Sequence, residues 1–427
     1  MISQSTVALI ILVLIVVSFA TQIIPMPVTA LLGGLAMMAV GIIEPADAIS
    51  GFGSDTVMMV AGVLVIGNAV FETGLAWKVG DLIMRCKPVC KNERVFLIVV
   101  LTIVTVLSAF MSNTATVAIF LPLIASVAQV SSNVITKKNT YMAVGIASVV
   151  GGNLTLAGST PQLIAQGILS TTEGVRTMEF FELFKGAGPI ALLMLIYYAT
   201  VGYELEKKVF SFKERTDIVS SSDQTIVIAN ERKCITVLVI LVLVIIGFCS
   251  GIYSMGTVAL LGACACVVTG CISLPRAFET MDWNTLIVLG GAMGFSTGLS
   301  KSGAVTLVAE KVVSLFGGPD GSGFAVCALL IIIAAVLGNL MSHTATVSIL
   351  VPIGLSVASV MDIDAIAVTI GIVIGCNLAF ATPVGTPPLT MTLSAGYRFS
   401  DYVKVGGLFN VISLLFAMFA IPWLYGL

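Results

Sequence analysis

Long apolar runs separated by short polar stretches make up most of the chain. The longest runs are nearly free of charge and lie at 7–20, 57–71, 95–111, 235–249 and 324–341. Runs of this length and composition are typical of transmembrane helices. Between such runs the chain contains one polar segment twice, as SNTATVAIFLP at 112–122 and SHTATVSILVP at 342–352. Inside a bilayer every polar group needs a partner, so these two segments are candidate functional elements.

The order of elements also repeats. Residues 29–33 (TALLG) resemble residues 258–262 (VALLG), and GGNL at 151–154 resembles GCNL at 375–378. An ordered series of such matches predicts an internal duplication, with halves at 5–204 and 234–427. Each half has three apolar runs, an amphipathic piece, a pair of runs around the polar segment, a Gly/Pro-interrupted segment and a last helix. The four later parts lie at 75–88, 95–130, 140–169 and 186–204, and again at 304–317, 324–360, 365–395 and 404–425.

The distribution of lysine and arginine predicts the topology. If the runs around each polar segment form a re-entrant hairpin, each half crosses the membrane an odd number of times and the second half is inverted. With the N-terminus outside, sixteen of the 20 lysines and arginines then lie on the cytoplasmic side, as the positive-inside rule requires. If the runs around the first polar segment instead formed two full spans, residues 94 and 137 would lie on opposite sides of the membrane. The asymmetry of lysine and arginine between the two sides would then be weaker. The sequence therefore predicts an all-α polytopic membrane protein with two inverted-topology repeats, about ten transmembrane helices and two re-entrant hairpins containing discontinuous helices. The amphipathic pieces are either interfacial helices or continuations of the preceding spans.

Composition supports a membrane location and excludes other classes. The chain is 58% hydrophobic and 10% charged, with a mean hydropathy of +1.11, so we expect a multi-pass protein of the cell (plasma or inner) membrane, surrounded by the lipid bilayer. A net charge of −2 gives no indication of nucleic-acid binding. One histidine and nine scattered cysteines form no zinc-binding spacing.

The polar segments and the interrupted helices provide candidate ligands. Glycine and proline break the helices at 158–161 (GSTP) and 381–388 (ATPVGTPP). Each break leaves free carbonyls, which suit Na⁺, and free N–H groups, which suit an anion. A single Ser or Thr in such a helix usually bonds its own backbone or a neighbouring helix. Four polar breaks at matching places in inverted halves are instead typical of a transport site.

These motifs resemble those of the divalent anion:sodium symporter (DASS) family, part of the ion-transporter superfamily, over nearly the whole chain. The resemblance implies a homodimeric elevator that carries di- and tricarboxylates and, in some members, sulfate. Its scaffold parts would be 1–94 in repeat 1 and 234–317 in repeat 2. Its transport parts would be 95–204 and 318–427, joined through a cytoplasmic linker at 205–233.

The resemblance also implies ligands for a small anionic substrate and for Na⁺. Ser112, Asn113, Thr114, Ser342 and Thr344 would hold the substrate carboxylate. His343 and the break residues Thr160, Pro161, Thr386 and Pro387 complete the candidate substrate ligands. A first Na⁺ site would use Ser108, Ser112, Asn113 and Gly158, where Ser108 lies one helical turn before Ser112. A second would use Ser342, His343, Thr382 and Gly385.

The second site departs from the family pattern. His343 stands where the family has Asn, and Gly338 stands where the first half has Ser108. An ionisable residue at membrane depth is a functional candidate, and histidine titrates near physiological pH. We therefore hypothesise that protonated His343 replaces the second Na⁺, giving proton coupling or Na⁺-independent exchange. The alternative is a neutral histidine that keeps the hydrogen bonds of Asn.

The sequence favours a secondary active transporter of small dicarboxylates such as succinate, malate or fumarate, with sulfate and tartrate left open. An intramembrane enzyme would need a catalytic pair or a metal cluster, which we do not find in the sequence pattern. A channel would lack saturable counterflow. The remaining alternatives are other superfamily carriers, of the citrate or arsenite type, or the membrane subunit of a binding-protein-dependent carboxylate transporter.

Overall fold

The computed structural model describes residues 3–21, 23–75, 78, 89, 91–130, 134–210, 212, 231–314, 318, 321–383 and 385–427. Regular structure in these ranges is entirely helical. The first ten α-helices are α1 Gln4–Thr21, α2 Met26–Ala39, α3 Pro45–Ile49, α4 Asp55–Glu72, α5 Glu93–Ser108, α6 Asn113–Val130, α7 Tyr141–Gly152, α8 Thr160–Ser170, α9 Phe184–Tyr197 and α10 Tyr203–Val209. The others are α11 Glu231–Ser250, α12 Met255–Val268, α13 Leu274–Glu279, α14 Trp283–Lys301, α15 Ala304–Ser314, α16 Gly323–Leu340, α17 His343–Met361, α18 Ala365–Asn377, α19 Pro387–Thr392, α20 Phe399–Asp401 and α21 Gly407–Tyr425.

Many of these helices can cross a bilayer. Within the described ranges, six helical segments are long and apolar enough: Pro45–Glu72, Phe184–Val209, Glu231–Ser250, Gly323–Leu340, His343–Met361 and Phe399–Tyr425. Shorter apolar helices lie at Gln4–Phe19, Met26–Ala39, Asn113–Gln129, Tyr141–Gly152, Met255–Val268 and Ala365–Asn377. The all-α polytopic class is confirmed. The number of spans, the inverted repeats, the re-entrant hairpins and the division into scaffold and transport parts stay predictions.

Some predicted boundaries shift. The last helix of the first half, predicted to end at 204, continues through a π turn at Tyr198–Gly202 to Val209. Residues 211 and 213–230 of the predicted linker lie outside the described residues, as do 76–77 and 79–88 of the first amphipathic piece, 315–317 of the second, and Val384 in the second break. Helix α15, the described part of the second amphipathic piece, begins after Gly303 at a φ of +71°. This left-handed residue separates α15 from α14, so α15 is not a simple continuation of the preceding span.

Small residues bring the early helices of the two halves together. A Cβ atom on Gly62 of α4 would lie 2.5 Å from the carbonyl carbon of Ala259 in α12, and one on Gly291 of α14 would lie 2.8 Å from that of Ala30 in α2. Close backbone approach at small residues is the usual packing of membrane helices, because lipid gives no hydrophobic force between them. Helices α2 and α4 of the first half therefore pack closely against α14 and α12 of the second half.

Candidate functional site

The two polar segments and the two helix breaks meet at one cavity of about 810 Å³. All ten residues predicted to contact substrate line it: Ser112, Asn113, Thr114, Thr160, Pro161, Ser342, His343, Thr344, Thr386 and Pro387. These residues come from four separate stretches of the chain. Tertiary packing thus brings together the pieces that the sequence pattern identified one by one.

The serine and the last threonine of each S-x-T-A-T segment hold the local backbone. Ser112 Oγ accepts a hydrogen bond from the N–H of Ala115 at 3.2 Å, and Ser342 Oγ accepts one from Ala345 at the same distance. Each serine therefore caps the helix that follows it. Thr116 donates back to the carbonyl of Ser112 at 3.1 Å, and Thr346 donates to that of Ser342 at 3.2 Å. The second and third positions of each segment, Asn113 with Thr114 and His343 with Thr344, line the cavity.

At the first segment, oxygens converge on the side-chain amide of Asn113. Ser108 Oγ lies 2.7 Å from Asn113 Oδ1 and donates to the carbonyl of Ser148 at 2.7 Å. With the amide turned over, Nδ2 would instead donate to Ser108 Oγ at 2.7 Å, Ser148 O at 3.0 Å and Gly158 O at 3.1 Å. Such a group of oxygens is stable only around an N–H group or a cation, because oxygens that face one another repel.

With the Asn113 amide oriented so that Oδ1 faces the other oxygens, this set fits Na⁺; with the amide reversed, Nδ2 satisfies the same oxygens in the absence of an ion. Ser108 is fully buried and Asn113 is 8% exposed, and hydroxyl, amide and carbonyl oxygens are the ligands that hard cations prefer. Within the described ranges no group of three or more His, Cys, Asp or Glu side chains could hold a metal. Neutral oxygens at the first segment are therefore the best candidates for holding a cation.

The second segment does not offer the same set. His343 is 4% exposed, and its Nδ1 donates to Asn377 Oδ1 at 3.0 Å. Its Nε2 has no hydrogen-bond partner among the described residues, and a Cβ on Gly385 would lie 2.7 Å from it. The imidazole ring thus occupies the space beside Gly385. Thr382 Oγ1 does not bond the imidazole ring and instead donates to the carbonyl of Asn339 at 2.8 Å. The residues predicted for a second Na⁺ site do not fit that ion in this arrangement.

Three contributors were missed by sequence reasoning. The carbonyl of Ser148 reaches the first site through the backbone, which every residue possesses, so no residue type reveals it. Asn153 and Asn377 lie behind the segments, where Asn377 Nδ2 donates to Asn153 Oδ1 at 2.5 Å. The sequence did contain a signal for these two residues, because they are the asparagines of the repeated GGNL and GCNL segments.

The cavity is open towards one end of the molecule. Its far wall includes Asn68, Glu72 and Arg276, which the predicted topology places at the cytoplasmic side. Arg276 Nε donates to Glu72 Oε1 at 2.7 Å, and this hydrogen bond raises the pKa of Arg276 above its ordinary value. Both side chains remain partly exposed. The ion pair therefore lies at the mouth of the cavity rather than beside the two polar segments.

Comparison with known proteins identifies the family. The family model described as "Sodium:sulfate symporter transmembrane region" matches residues 1–427. The chain belongs to this family. The resemblance to divalent anion:sodium symporters is thereby confirmed, and the protein is a multi-pass membrane transporter, Na⁺-coupled and specific for anions, rather than an enzyme.

Relatives in this family share much of the chain. An uncharacterized transporter of Haemophilus influenzae is 28% identical over 95% of this chain and 88% of its own length. The sodium-dependent high-affinity dicarboxylate transporter 3 of Caenorhabditis elegans is 24% identical over 93% of this chain and 79% of its own. Solute carrier family 13 member 4 of Homo sapiens is 31% identical over 34% of this chain.

Proposed function

We propose that this protein carries small dicarboxylates, such as succinate, malate or fumarate, across the membrane with Na⁺ bound at the first segment. The observation that carries the proposal is the convergence of three helix N-termini on one cavity. Helices α6, α8 and α17 begin at Asn113, Thr160 and His343, and all three residues line the cavity. A helix N-terminus attracts anions through its free N–H groups and its dipole.

The chemistry of the lining suits a carboxylate. The segment and break residues that line the cavity include no lysine or arginine, so N–H groups, hydroxyls and a bound cation must balance the substrate charge. Thr114, Thr160, Thr344 and Thr386 provide hydroxyl groups near these N-termini. The Caenorhabditis elegans relative is named as a dicarboxylate transporter, which supports this class of anion.

Na⁺ at the first segment would be held by Ser108, Asn113, Gly158 and the Ser148 carbonyl, and it would supply positive charge next to the substrate. At the second segment we propose that the His343 ring takes the place of a second Na⁺. Either a proton on His343 replaces the charge of that ion, or the neutral ring leaves one Na⁺ fewer per cycle, which would also permit exchange.

We propose an elevator movement in which 95–204 and 318–427 slide against 1–94 and 234–317. An asymmetry between the two halves supports it. Gly167 of α8 packs against α14, where an added Cβ would lie 2.7 Å from Leu289 Cδ1. In the other half, Pro387 and Pro388 of α19 and Leu64 of α4 all line the cavity. One side is thus closed while the predicted cytoplasmic side is open, which would be an inward-facing state.

Uptake into proteoliposomes containing the purified chain alone tests the proposal. We expect saturable succinate uptake driven by an imposed Na⁺ gradient, with counterflow by malate and fumarate and weaker competition by sulfate. Counterflow distinguishes a carrier from a channel. An uptake that requires an added binding protein, or one specific for citrate or arsenite, would contradict the proposal in favour of another type of carrier.

A further inference from the structure

Buried amide side chains link the second segment to the first half of the chain. His343 Nδ1 lies 3.0 Å from Asn377 Oδ1, and Asn377 Nδ2 donates to Asn153 Oδ1 at 2.5 Å. Gln162 Nε2 also donates to Asn153 Oδ1, at 3.3 Å. All four side chains are at least 96% buried. The result is one continuous polar path through an otherwise apolar interior.

The path ends at the first segment. Gln162 Nε2 donates to the carbonyl of Gly152 at 2.7 Å. A Cβ on Gly152 would overlap the Asn113 amide, and one on Gly158 would overlap the Gly152 carbonyl. Gly152 therefore packs directly against Asn113 and Gly158, two of the candidate Na⁺ ligands. A displacement of either ligand must move Gly152 or be resisted by it, because interiors are close-packed.

The orientation of each amide in the path depends on its neighbour. The Gly152 carbonyl can only accept, so Gln162 turns its NH₂ group towards it. Asn153 then accepts from both Gln162 and Asn377, and Asn377 in turn presents its oxygen to His343. Gln162 Oε1 has no hydrogen-bond partner among the described residues. Reversing Asn153 would bring its NH₂ group against the NH₂ groups of Gln162 and Asn377, and reversing Asn377 would bring its oxygen against Asn153 Oδ1, so the order of donors and acceptors is fixed by the cost of such contacts. Such a chain acts as a unit rather than as independent bonds.

We propose that Asn377 is a positioning residue that couples cation binding at the first segment to anion binding at the second. With a cation bound, Asn113 and Gly158 are fixed, and Gly152, Asn153 and Asn377 then hold the His343 ring and the start of α17 in the anion-binding geometry. This inference rests on the proposed function, since it assumes Na⁺ and dicarboxylate sites in one cavity. The coupling is reciprocal by thermodynamic necessity.

The test compares succinate affinity with and without Na⁺ in purified protein, measured by calorimetry or thermal shift in detergent. Asn377→Leu keeps the size of the side chain but removes both hydrogen bonds. Thr369→Val is the matched control, because Thr369 lies fully buried on the same helix and bonds only its own helix, at the Ala365 carbonyl. We expect Na⁺ to raise succinate affinity about tenfold in the wild type, a typical coupling strength.

In Asn377→Leu we expect that factor to fall below about threefold while Na⁺ affinity without succinate is retained, and Thr369→Val to behave as wild type. A merely structural role would weaken both affinities and leave their ratio intact. An unchanged ratio in Asn377→Leu would overturn the inference. If Asn377→Leu does not fold, Asn377→Ser, which is too short to reach both partners, makes the same comparison.

Failure of the proposed function gives a different result. In that case wild-type protein would show no effect of Na⁺ on succinate affinity, and the variants would have no coupling to lose. Coupling in the wild type that survives in both Asn377 variants would instead contradict only the role of Asn377. The same titrations repeated with sulfate as the anion show whether the coupling depends on a carboxylate.

Discussion

At the scale of single residues, Asn113 and His343 occupy matching positions in the repeated segment but have different partners. Asn113 faces the oxygens of Ser108, Ser148 and Gly158. His343 bonds Asn377 and leaves Nε2 without a partner among the described residues. The difference begins with the residue type, because a planar imidazole ring offers nitrogens where an amide offers an oxygen. Hard cations prefer oxygen, so the two segments should differ in what they bind.

Removing the Ser108 hydroxyl should weaken Na⁺ binding. Ser108→Ala deletes one oxygen of the first site and leaves the Ser148 carbonyl without this donor. We expect Na⁺ affinity to fall about tenfold, or about 1.4 kcal/mol, measured as the Na⁺ concentration for half-maximal uptake. Ser413→Ala is the control, because Ser413 is also fully buried but bonds only its own helix. Equal Na⁺ requirements in both variants would exclude Ser108 as a ligand.

Replacing His343 by asparagine should restore a second oxygen site. His343→Asn brings an amide oxygen to the segment and frees the space beside Gly385. The Na⁺ dependence of uptake should become steeper, with a Hill coefficient rising from about 1 towards about 2, because the coefficient is limited by the number of sites. Any change in uptake between pH 5 and 8 that depends on the imidazole should also disappear. If the dependence of uptake on Na⁺ and on pH in His343→Asn were identical to that of the wild type, the role proposed for His343 would be wrong.

At the scale of helices, the contact between α8 and α14 closes the cavity on one side. Gly167 allows this contact, since its missing side chain makes room for Leu289 and Met293. In the other half, residues of α19 and of α4 line the cavity. Alternating access requires one of these contacts to break as the other forms.

A large side chain at position 167 should therefore slow transport. Gly167→Leu would prevent α8 from seating on α14, so we expect succinate uptake to fall more than about tenfold, which corresponds to about 1.4 kcal/mol on the affected step. Gly167→Ala should be tolerated, because the nearest atom is the mobile end of Leu289. Thermal unfolding in detergent shows whether both variants remain folded. Transport at the wild-type rate by a folded Gly167→Leu protein would contradict the proposed movement.

At the scale of the whole molecule, two ion pairs lie at matching positions of the halves with their charges exchanged. Lys301 pairs with Asp47 at 2.7 Å, and Arg276 pairs with Glu72 at 2.7 Å. Asp47 matches Arg276, and Glu72 matches Lys301, each 229 positions along the chain. The predicted topology puts the pairs on opposite faces. Only the Glu72–Arg276 pair is among the residues that line the cavity, so the molecule departs from its internal symmetry at the mouth.

Exchanging the charges at the mouth should be tolerated, whereas reversing one charge should not. Arg276 also contacts Glu279 at 3.4 Å, so Arg276→Glu places the new carboxylate beside both Glu72 and Glu279. It should lower stability by about 0.5 to 1 kcal/mol, a modest cost because these side chains are partly exposed. The double variant Glu72→Arg/Arg276→Glu should recover most of this loss. Thermal unfolding at low and high salt measures both, and salt should reduce the difference. A double variant no more stable than Arg276→Glu would show that the pair contributes nothing.

The chain's membrane class and the residues of its cavity could be predicted because their causes are local. Long charge-free runs form helices in a bilayer, and glycine and proline interrupt a helix at their own positions. A polar residue at membrane depth is costly and therefore usually has a functional or structural partner. These rules led directly to Ser112–Thr114, Ser342–Thr344 and the two breaks. Family membership agrees with that interpretation. The sequence by itself thus determined what kind of molecule this is and which segments form its site.

Tertiary structure decided how the segments are used. The Ser148 carbonyl is a backbone group, so the residue type does not indicate its role. The hydrogen bond between Asn153 and Asn377 joins residues 224 positions apart. The sequence already showed that the second Na⁺ site departs from the family pattern, and the structure adds that the His343 ring lies beside Gly385, one of the ligands predicted for that site. The side on which the cavity opens depends on contacts between helices that are far apart in the chain, and no sequence pattern records those contacts. Each of these features depends on contacts between residues that are far apart in the chain. Hydrophobic periodicity reports only local structure and therefore cannot predict them.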